Sequence, residues 1–235
     1  MSENNEKSVR VLAERLAAVR SRVESASART GRNPGEIRLM AVTKNHGPEI
    51  VDAAAAAGID LVGENRVQEA TGKQSQVRAS LAWELIGPLQ SNKARLAVAH
   101  FDRIQTVDRE KIARALGRAA EEINRPAVPV LLQVNIGEDP RKAGVSPEGA
   151  EALIDQIRSV ERLDLQGLMT IPPFSEDPAV ARRCFAALRV LRDQLVANTG
   201  LSLHELSMGM SGDFDIAVEE GATLIRVGTI LFGER

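Results

Sequence analysis

Lys44 ends the apolar run Leu39-Met40-Ala41-Val42-Thr43, and far from it in the chain lie two small-residue stretches, Ser207-Met208-Gly209-Met210-Ser211 and Gly228-Thr229. These residue types can do chemistry together. Glycine lets backbone N–H groups approach an anion, and the hydroxyls of Ser207, Ser211 and Thr229 add donors, so both stretches suit a phosphate. A partly desolvated lysine loses its proton more readily and can form a Schiff base with a carbonyl carbon. Arg226 interrupts Leu224-Ile225-Arg226-Val227-Gly228, and period-two alternation turns it away from Ile225 and Val227. Either that side meets solvent or a buried guanidinium has a dedicated partner, because an unpaired one is too costly. Gln133 and Asn135 share a face of another apolar run and point to the same interior. Taken singly, these are an exposed amine, two Gly/Ser turns and a strand arginine. Taken together, an amine for an aldehyde, a cradle for a phosphate and a polar interior for a ring nitrogen describe pyridoxal 5′-phosphate (PLP).

The elements that must position these residues alternate along the chain. A first helix from Ser8 to about Arg29 places Leu12, Leu16, Val19, Val23 and Ala26 on one face, and Gly31 and Pro34 close it. Eight short apolar runs follow: Ile37–Thr43, Leu61–Gly63, Trp83–Ile86, Arg103–Val107, Val130–Val134, Leu165–Thr170, Glu205–Met208 and Leu224–Val227. Helical stretches lie between them, among them Pro48–Ala57, Ser91–Ala99, Arg109–Ile123, Pro147–Val160, Ala179–Ala197 and Phe214–Glu220. Several runs are apolar without alternation, as in parallel strands covered on both faces. The pattern predicts an α/β protein, a single (β/α)8 TIM-type barrel spanning 1–235, with 1–34 a helix and linker packed on it. A doubly wound open sheet is the alternative. In the barrel, Lys44, Glu64-Asn65, Gly87-Pro88-Leu89-Gln90, Asp108, Asn135, Thr170, the 207–211 stretch and Gly228-Thr229 all fall at carboxyl ends of strands. That rim is where such barrels do chemistry, with phosphates often held after strands seven and eight.

Composition removes several other classes. The charge of −2 gives no general footprint for nucleic acid, and no basic run marks a membrane surface. No apolar segment reads as a signal peptide or a membrane span, so a cytoplasmic location is expected. Cys184, the only cysteine, lies among apolar residues and reads as structural. His46, His100 and His204 are scattered, and no metal site is expected. Gly87–Lys93 lacks the Gly-Lys-Ser/Thr ending of a phosphate loop, and there is no Rossmann fingerprint.

The segments Ala41-Val42-Thr43-Lys44, Gly63-Glu64-Asn65-Arg66-Val67-Gln68-Glu69, Ile86–Lys93, Gln133-Val134-Asn135-Ile136, Gly167-Leu168-Met169, Leu206–Ser211 and Arg226-Val227-Gly228-Thr229 through Phe232-Gly233 span nearly the whole chain. In these segments the chain resembles the pyridoxal phosphate homeostasis proteins, relatives of the amino-terminal barrel of alanine racemase. The resemblance implies PLP held as a Schiff base on Lys44, its phosphate on Ser207, Ser211, Gly228 and Thr229, Arg226 facing the pyridine nitrogen and Asn65 against the cofactor. His46 departs from the family's pattern, and its role is open.

Two functions follow from such a site: storing, buffering or delivering PLP, or racemase-like catalysis. The chain has no tyrosine, the residue that the resembling racemases use as second acid/base, and it ends just after the eighth run. Racemisation needs a base on each face of the α-carbon. A binding protein is therefore the expected class, with apo PLP-enzymes as acceptors and free amino acids as further ligands.

Overall fold

A computed structural model describes residues 3–137, 139–140 and 142–233. Eight strands follow one another in the chain: β1 (Arg38–Val42), β2 (Leu61–Glu64), β3 (Ala82–Leu85), β4 (Arg103–Val107), β5 (Val128–Gln133), β6 (Leu163–Met169), β7 (Glu205–Ser207) and β8 (Leu224–Val227). Each pairs in parallel with the next, and β8 pairs back to β1, so the sheet closes into a barrel. The closing register sets Met40 opposite Arg226 and Ala41 opposite Val227. The fold is the (β/α)8 barrel, and the open sheet is excluded.

The helices are α1 (Glu3–Thr30), α2 (Pro48–Ala56), α3 (Val67–Gln74), α4 (Ala94–His100), α5 (Glu110–Glu122), α6 (Ala150–Arg158), α7 (Pro178–Thr199), α8 (Phe214–Glu219) and α9 (Thr229–Phe232). In α1, the stripe Leu12, Leu16, Val19, Val23 and Ala26 is buried and packs toward α2, α8 and α9. Helix α3 had no counterpart in the sequence reading. The reason is its inner face, Val67, Ala70 and Lys73: one of three buried positions is a lysine, which erases the apolar period.

Strand alternation sorts two interiors. One apolar cluster fills the space between sheet and helices and includes Ala41, Val62, Ile225 and Val227. Inside the barrel, Met40, Leu61, Ile86 and Leu224 form a separate small cluster. Polar residues share that interior: Glu84, Arg103, Gln105, Glu205, Ser207 and Arg226 are all buried. A barrel filled this way holds charged groups in fixed places directly beneath its mouth.

Candidate functional site

At the carboxyl ends of the strands lies a cavity of about 520 Å3. Lys44, Asn65, Ser211, Arg226, Gly228 and Thr229 all line it, beside apolar Val42, Ile86, Pro88 and Ile171. The structure thus brings together six of the seven residues singled out in the sequence. The seventh, Ser207, does not reach the cavity.

Lys44 begins the turn that leaves β1. The Thr43 N–H donates to Gly63 O on β2 (3.1 Å), and the His46 N–H returns to Thr43 O (3.1 Å). Asn45 completes the turn in the left-handed region at φ 60°, a conformation asparagine tolerates better than most residues. The lysine itself is half-buried. Asn65 reaches the same wall because β2 and β3 end in close contact. A Cβ on Gly87 would stand 2.1 Å from the Asn65 carbonyl oxygen, so only glycine permits the approach.

Arg226 rises from β8 inside the barrel, 3% exposed. Its Nη1 donates to Ser207 Oγ (2.5 Å) and its Nη2 to Thr170 O (2.8 Å). Ser207 donates its hydroxyl hydrogen to Gln105 Oε1 (2.6 Å), and Gln105 Nε2 donates to Glu84 Oε2 (2.5 Å). Arg103 closes the base, bonding Glu84 (2.9 Å) and Glu205 (2.8 Å). From Arg226 Nη1 through Ser207 and Gln105 the donors run one way and end on Glu84. Burial lowers the Arg226 guanidinium to about 10, opposed by the charges of Asp213 and Glu84, so it stays protonated at neutral pH. The acceptors it bonds are the Ser207 hydroxyl and the Thr170 carbonyl. A full positive charge held by neutral partners is suited to an acceptor placed in the cavity.

Ser211, on the same cavity, packs against the start of α9. Ser211 Oγ accepts from the Gly228 N–H (3.1 Å) and the Ile230 N–H (3.4 Å). Two backbone amides of the first turn of α9 thus converge on one oxygen, and the Ser211 hydrogen is left to donate into the cavity. The turn from β7 that brings Ser211 here depends on Gly209. Its φ is +91°, and a Cβ would lie 2.5 Å from Ala217 Cβ.

Lys142 also lines the cavity, although the sequence analysis gave it no role. Its Nζ donates to the carbonyls of Ile171 (3.3 Å) and Pro172, tying the loop after β5 to the loop after β6. Gln133 lines the cavity as expected from alternation, with Nε2 on Ala143 O (3.2 Å); Asn135 instead donates to Asp139 O (2.9 Å) outside it. His46 packs on Phe232, with ring centroids 4.9 Å apart, away from the cavity. Cys184 is buried, which raises its thiol above the usual range and fits a structural residue. Among the described residues no group of three or more His, Cys, Asp or Glu could hold a metal ion, and no helix is long and apolar enough to cross a membrane. Neither Gln105 nor Lys142 carried a sequence signal; Gln105 bonds Ser207 from β4, and Lys142 is brought in by contacts between two loops.

An aldehyde, a ring nitrogen and a phosphate are among the polar groups of PLP, and the cavity is lined by an amine at Lys44, a guanidinium at Arg226 and a hydroxyl at Ser211. The family model for the alanine racemase N-terminal domain matches residues 15–235. The chain is 41% identical over 225 residues to a pyridoxal phosphate homeostasis protein of Pseudomonas aeruginosa, covering 95% of this chain and 96% of that one. A pyridoxal phosphate homeostasis protein of Aquifex aeolicus is 39% identical over 223 residues, 94% of this chain and 97% of its own. Among solved structures, PipY of Synechococcus elongatus with PLP bound superposes with a TM-score of 0.84 at 42% identity, covering 94% of this chain and 100% of PipY. With matches of this identity along nearly its whole length, the chain belongs to the alanine racemase N-terminal domain family and, within it, to the pyridoxal phosphate homeostasis proteins.

Proposed function

We propose that this protein binds PLP on Lys44 and serves in intracellular PLP homeostasis, storing, buffering or delivering the cofactor. The observation that carries the reading is the convergence on one cavity of a lysine amine, a buried guanidinium and two backbone amides aimed at one hydroxyl. Bound PLP supplies an aldehyde that bonds reversibly to amines. The residues do the rest. Lys44 holds the aldehyde carbon, Arg226 donates toward the ring nitrogen, and Asn65 closes the wall beside it. Ser211, Gly228 and Thr229 hold the phosphate. Ser207 belongs to this machinery one step back, as the acceptor that orients Arg226. Free amino acids are competing amines, and apo PLP-enzymes are the acceptors to which the cofactor passes. All of this fits a cytoplasmic protein.

The test is direct. Borohydride reduction of PLP-loaded protein should trap the cofactor on the peptide containing Lys44, and Lys44→Ala should lose the visible absorption band while keeping the fold. Trapping on Lys73, Lys93 or Lys142 would sink the assignment.

A second reading, racemase-like catalysis, draws on one observation: Lys142 places another amine on the same cavity. Against it, that side chain is fixed on two backbone carbonyls, which hold its position. Holo-protein mixed with an apo PLP-enzyme should restore that enzyme's activity. The same protein with D- or L-alanine in deuterated water should give no α-deuteration at an enzymatic rate; rapid, Lys44-dependent exchange would favour the racemase.

A further inference from the structure

A buried lysine lies directly behind Lys44. Lys73, on the inner face of α3, is 5% exposed, and its Nζ donates to Thr43 O (2.8 Å) and Glu64 Oε1 (2.5 Å), with Glu69 Oε1 at 3.6 Å. Glu64 is fully buried and also accepts from Thr43 Oγ1 (2.7 Å). Glu69 in turn accepts from the Asn45 N–H (2.5 Å). Every one of these contacts ends on Thr43 or Asn45, the two neighbours of Lys44, or within the cluster.

The consequence follows from peptide geometry. The Thr43 carbonyl belongs to the rigid peptide plane before the Lys44 Cα, and the Asn45 N–H belongs to the plane after it. Lys73 pins the first plane and Glu69 the second. With both planes fixed, the φ and ψ of Lys44 are fixed, and so is the direction in which its Cα–Cβ bond leaves the backbone. The cluster is an expensive way to pack a helix on a strand. Burying an ion pair costs several kcal/mol per ion before attraction repays it, and apolar residues of like volume often serve stability as well or better. Glu64 Oε2 is even left buried without a hydrogen-bond partner. Stability alone gives no reason for such an arrangement; orientation does.

We propose that Lys73, with Glu64 and Glu69, is a positioning device for Lys44: it clamps the two peptide planes that flank the reactive lysine and aims its amine at the aldehyde carbon of PLP. This inference rests on the reading of Lys44 as the PLP-bonding residue. Lys73 does not touch the cofactor.

Two variants test it. Glu69→Ala frees the second plane by removing a half-buried carboxylate. The pair Lys73→Met with Glu64→Gln frees the first without stranding a buried charge. Each is titrated with PLP and with pyridoxine 5′-phosphate, which has the ring and phosphate but no aldehyde, and the fraction of PLP trapped on Lys44 by borohydride is measured. The expected result is a loss of PLP affinity of about tenfold or more, the scale of one hydrogen bond to a charged group. The trapped fraction should fall with it, while affinity for pyridoxine 5′-phosphate stays at the wild-type value. Wild-type trapping together with a lower melting temperature would mean that the cluster only stabilises the fold, and would overturn the inference. An equal loss for both ligands would overturn it too, because that is the mark of a collapsed cavity. The Glu69→Ala arm decides the matter alone if the paired variant does not fold. Wild-type protein that traps PLP elsewhere than Lys44 would sink the underlying reading, which separates that failure from this one.

Discussion

Ser207 and Ser211 flank the same five-residue turn, and replacing each by alanine separates two roles that look alike in the sequence. The Ser207 hydroxyl has one hydrogen, and it goes to Gln105 Oε1 at 2.6 Å; its lone pair faces Arg226 Nη1 at 2.5 Å. No donor remains for a phosphate. Ser207→Ala leaves two fully buried polar groups, the Gln105 oxygen and one guanidinium hydrogen, without partners. Each such loss costs about 1–3 kcal/mol, so the fold should weaken by roughly 2–6 kcal/mol. Ligand affinity should fall by only about 1 kcal/mol, since Arg226 keeps its Thr170 anchor, and it should fall equally for PLP and for pyridoxal. Ser211 is the converse. It is half-buried and accepts from two amides, so its hydrogen is available to the cavity. Ser211→Ala should leave stability nearly unchanged and weaken PLP by about 1.5–3 kcal/mol, the range for a bond to a charged group, while sparing pyridoxal. The assay is the ratio of PLP to pyridoxal dissociation constants in both variants, alongside thermal melts. A ratio that collapses in Ser207→Ala with no loss of stability would refute the orientation of that hydroxyl and return Ser207 to the phosphate.

Three further outcomes follow. Arg226→Met removes the donor to Ser207 and Thr170 and the only guanidinium lining the cavity among the described residues; it should lower affinity for pyridoxal and PLP alike and displace the visible band, and an unchanged spectrum would show that Arg226 does not face the ring. Gly87→Ala drives a Cβ into the Asn65 backbone 2.1 Å away, where no flexible side chain can yield, and should destabilise the fold by about 3 kcal/mol or more in a denaturant titration; a loss under about 0.5 kcal/mol would contradict the packing. Hydrogen bonds from Arg182 hold the Glu219 carboxyl below the usual range, with Arg29 adding to them. Because its folded value is depressed, its contribution is complete above the unfolded carboxyl pKa near ~4.3 and is lost as pH falls through the folded value, so Glu219→Gln should flatten the acid limb of the stability curve by about 1 kcal/mol or less.

How much of this could be read from the chain depended on whether a residue's surroundings are local. Strand β8 was readable because Leu224, Ile225 and Val227 alternate around Arg226, and α1 because five apolar residues recur at helical spacing and all prove buried. Lys44, Asn65, Ser211, Gly228 and Thr229 were readable because barrel geometry brings strand ends to one rim. The direction of the Ser207 hydroxyl was not readable: it is set by Gln105, 102 residues away on β4, and nothing near either residue announces the pair. Helix α3 escaped because its inner face carries Lys73, whose partner Glu64 lies on the preceding strand. The unread part is the polar part, since hydrogen-bond partners across a barrel leave no period in the sequence.

Those same polar contacts explain how a small barrel keeps a reactive centre in register. Two buried networks approach the cavity from different sides. From below, Arg103, Glu84, Gln105 and Ser207 lead to Arg226, with donors from both directions meeting on Glu84; from behind, Glu64, Lys73 and Glu69 lead to the turn that carries Lys44. An apolar core of the same volume would hold the strands together, but apolar contacts are non-directional and would leave both side chains free to rotate. Hydrogen bonds to charged groups are directional, and in a low-dielectric interior they are strong. A ligand meeting both side chains already oriented loses less of its binding free energy to ordering the site. A homeostasis protein has a particular use for that arrangement. Retention of a ligand then rests on the rigid placement of a few groups, each held by its own network.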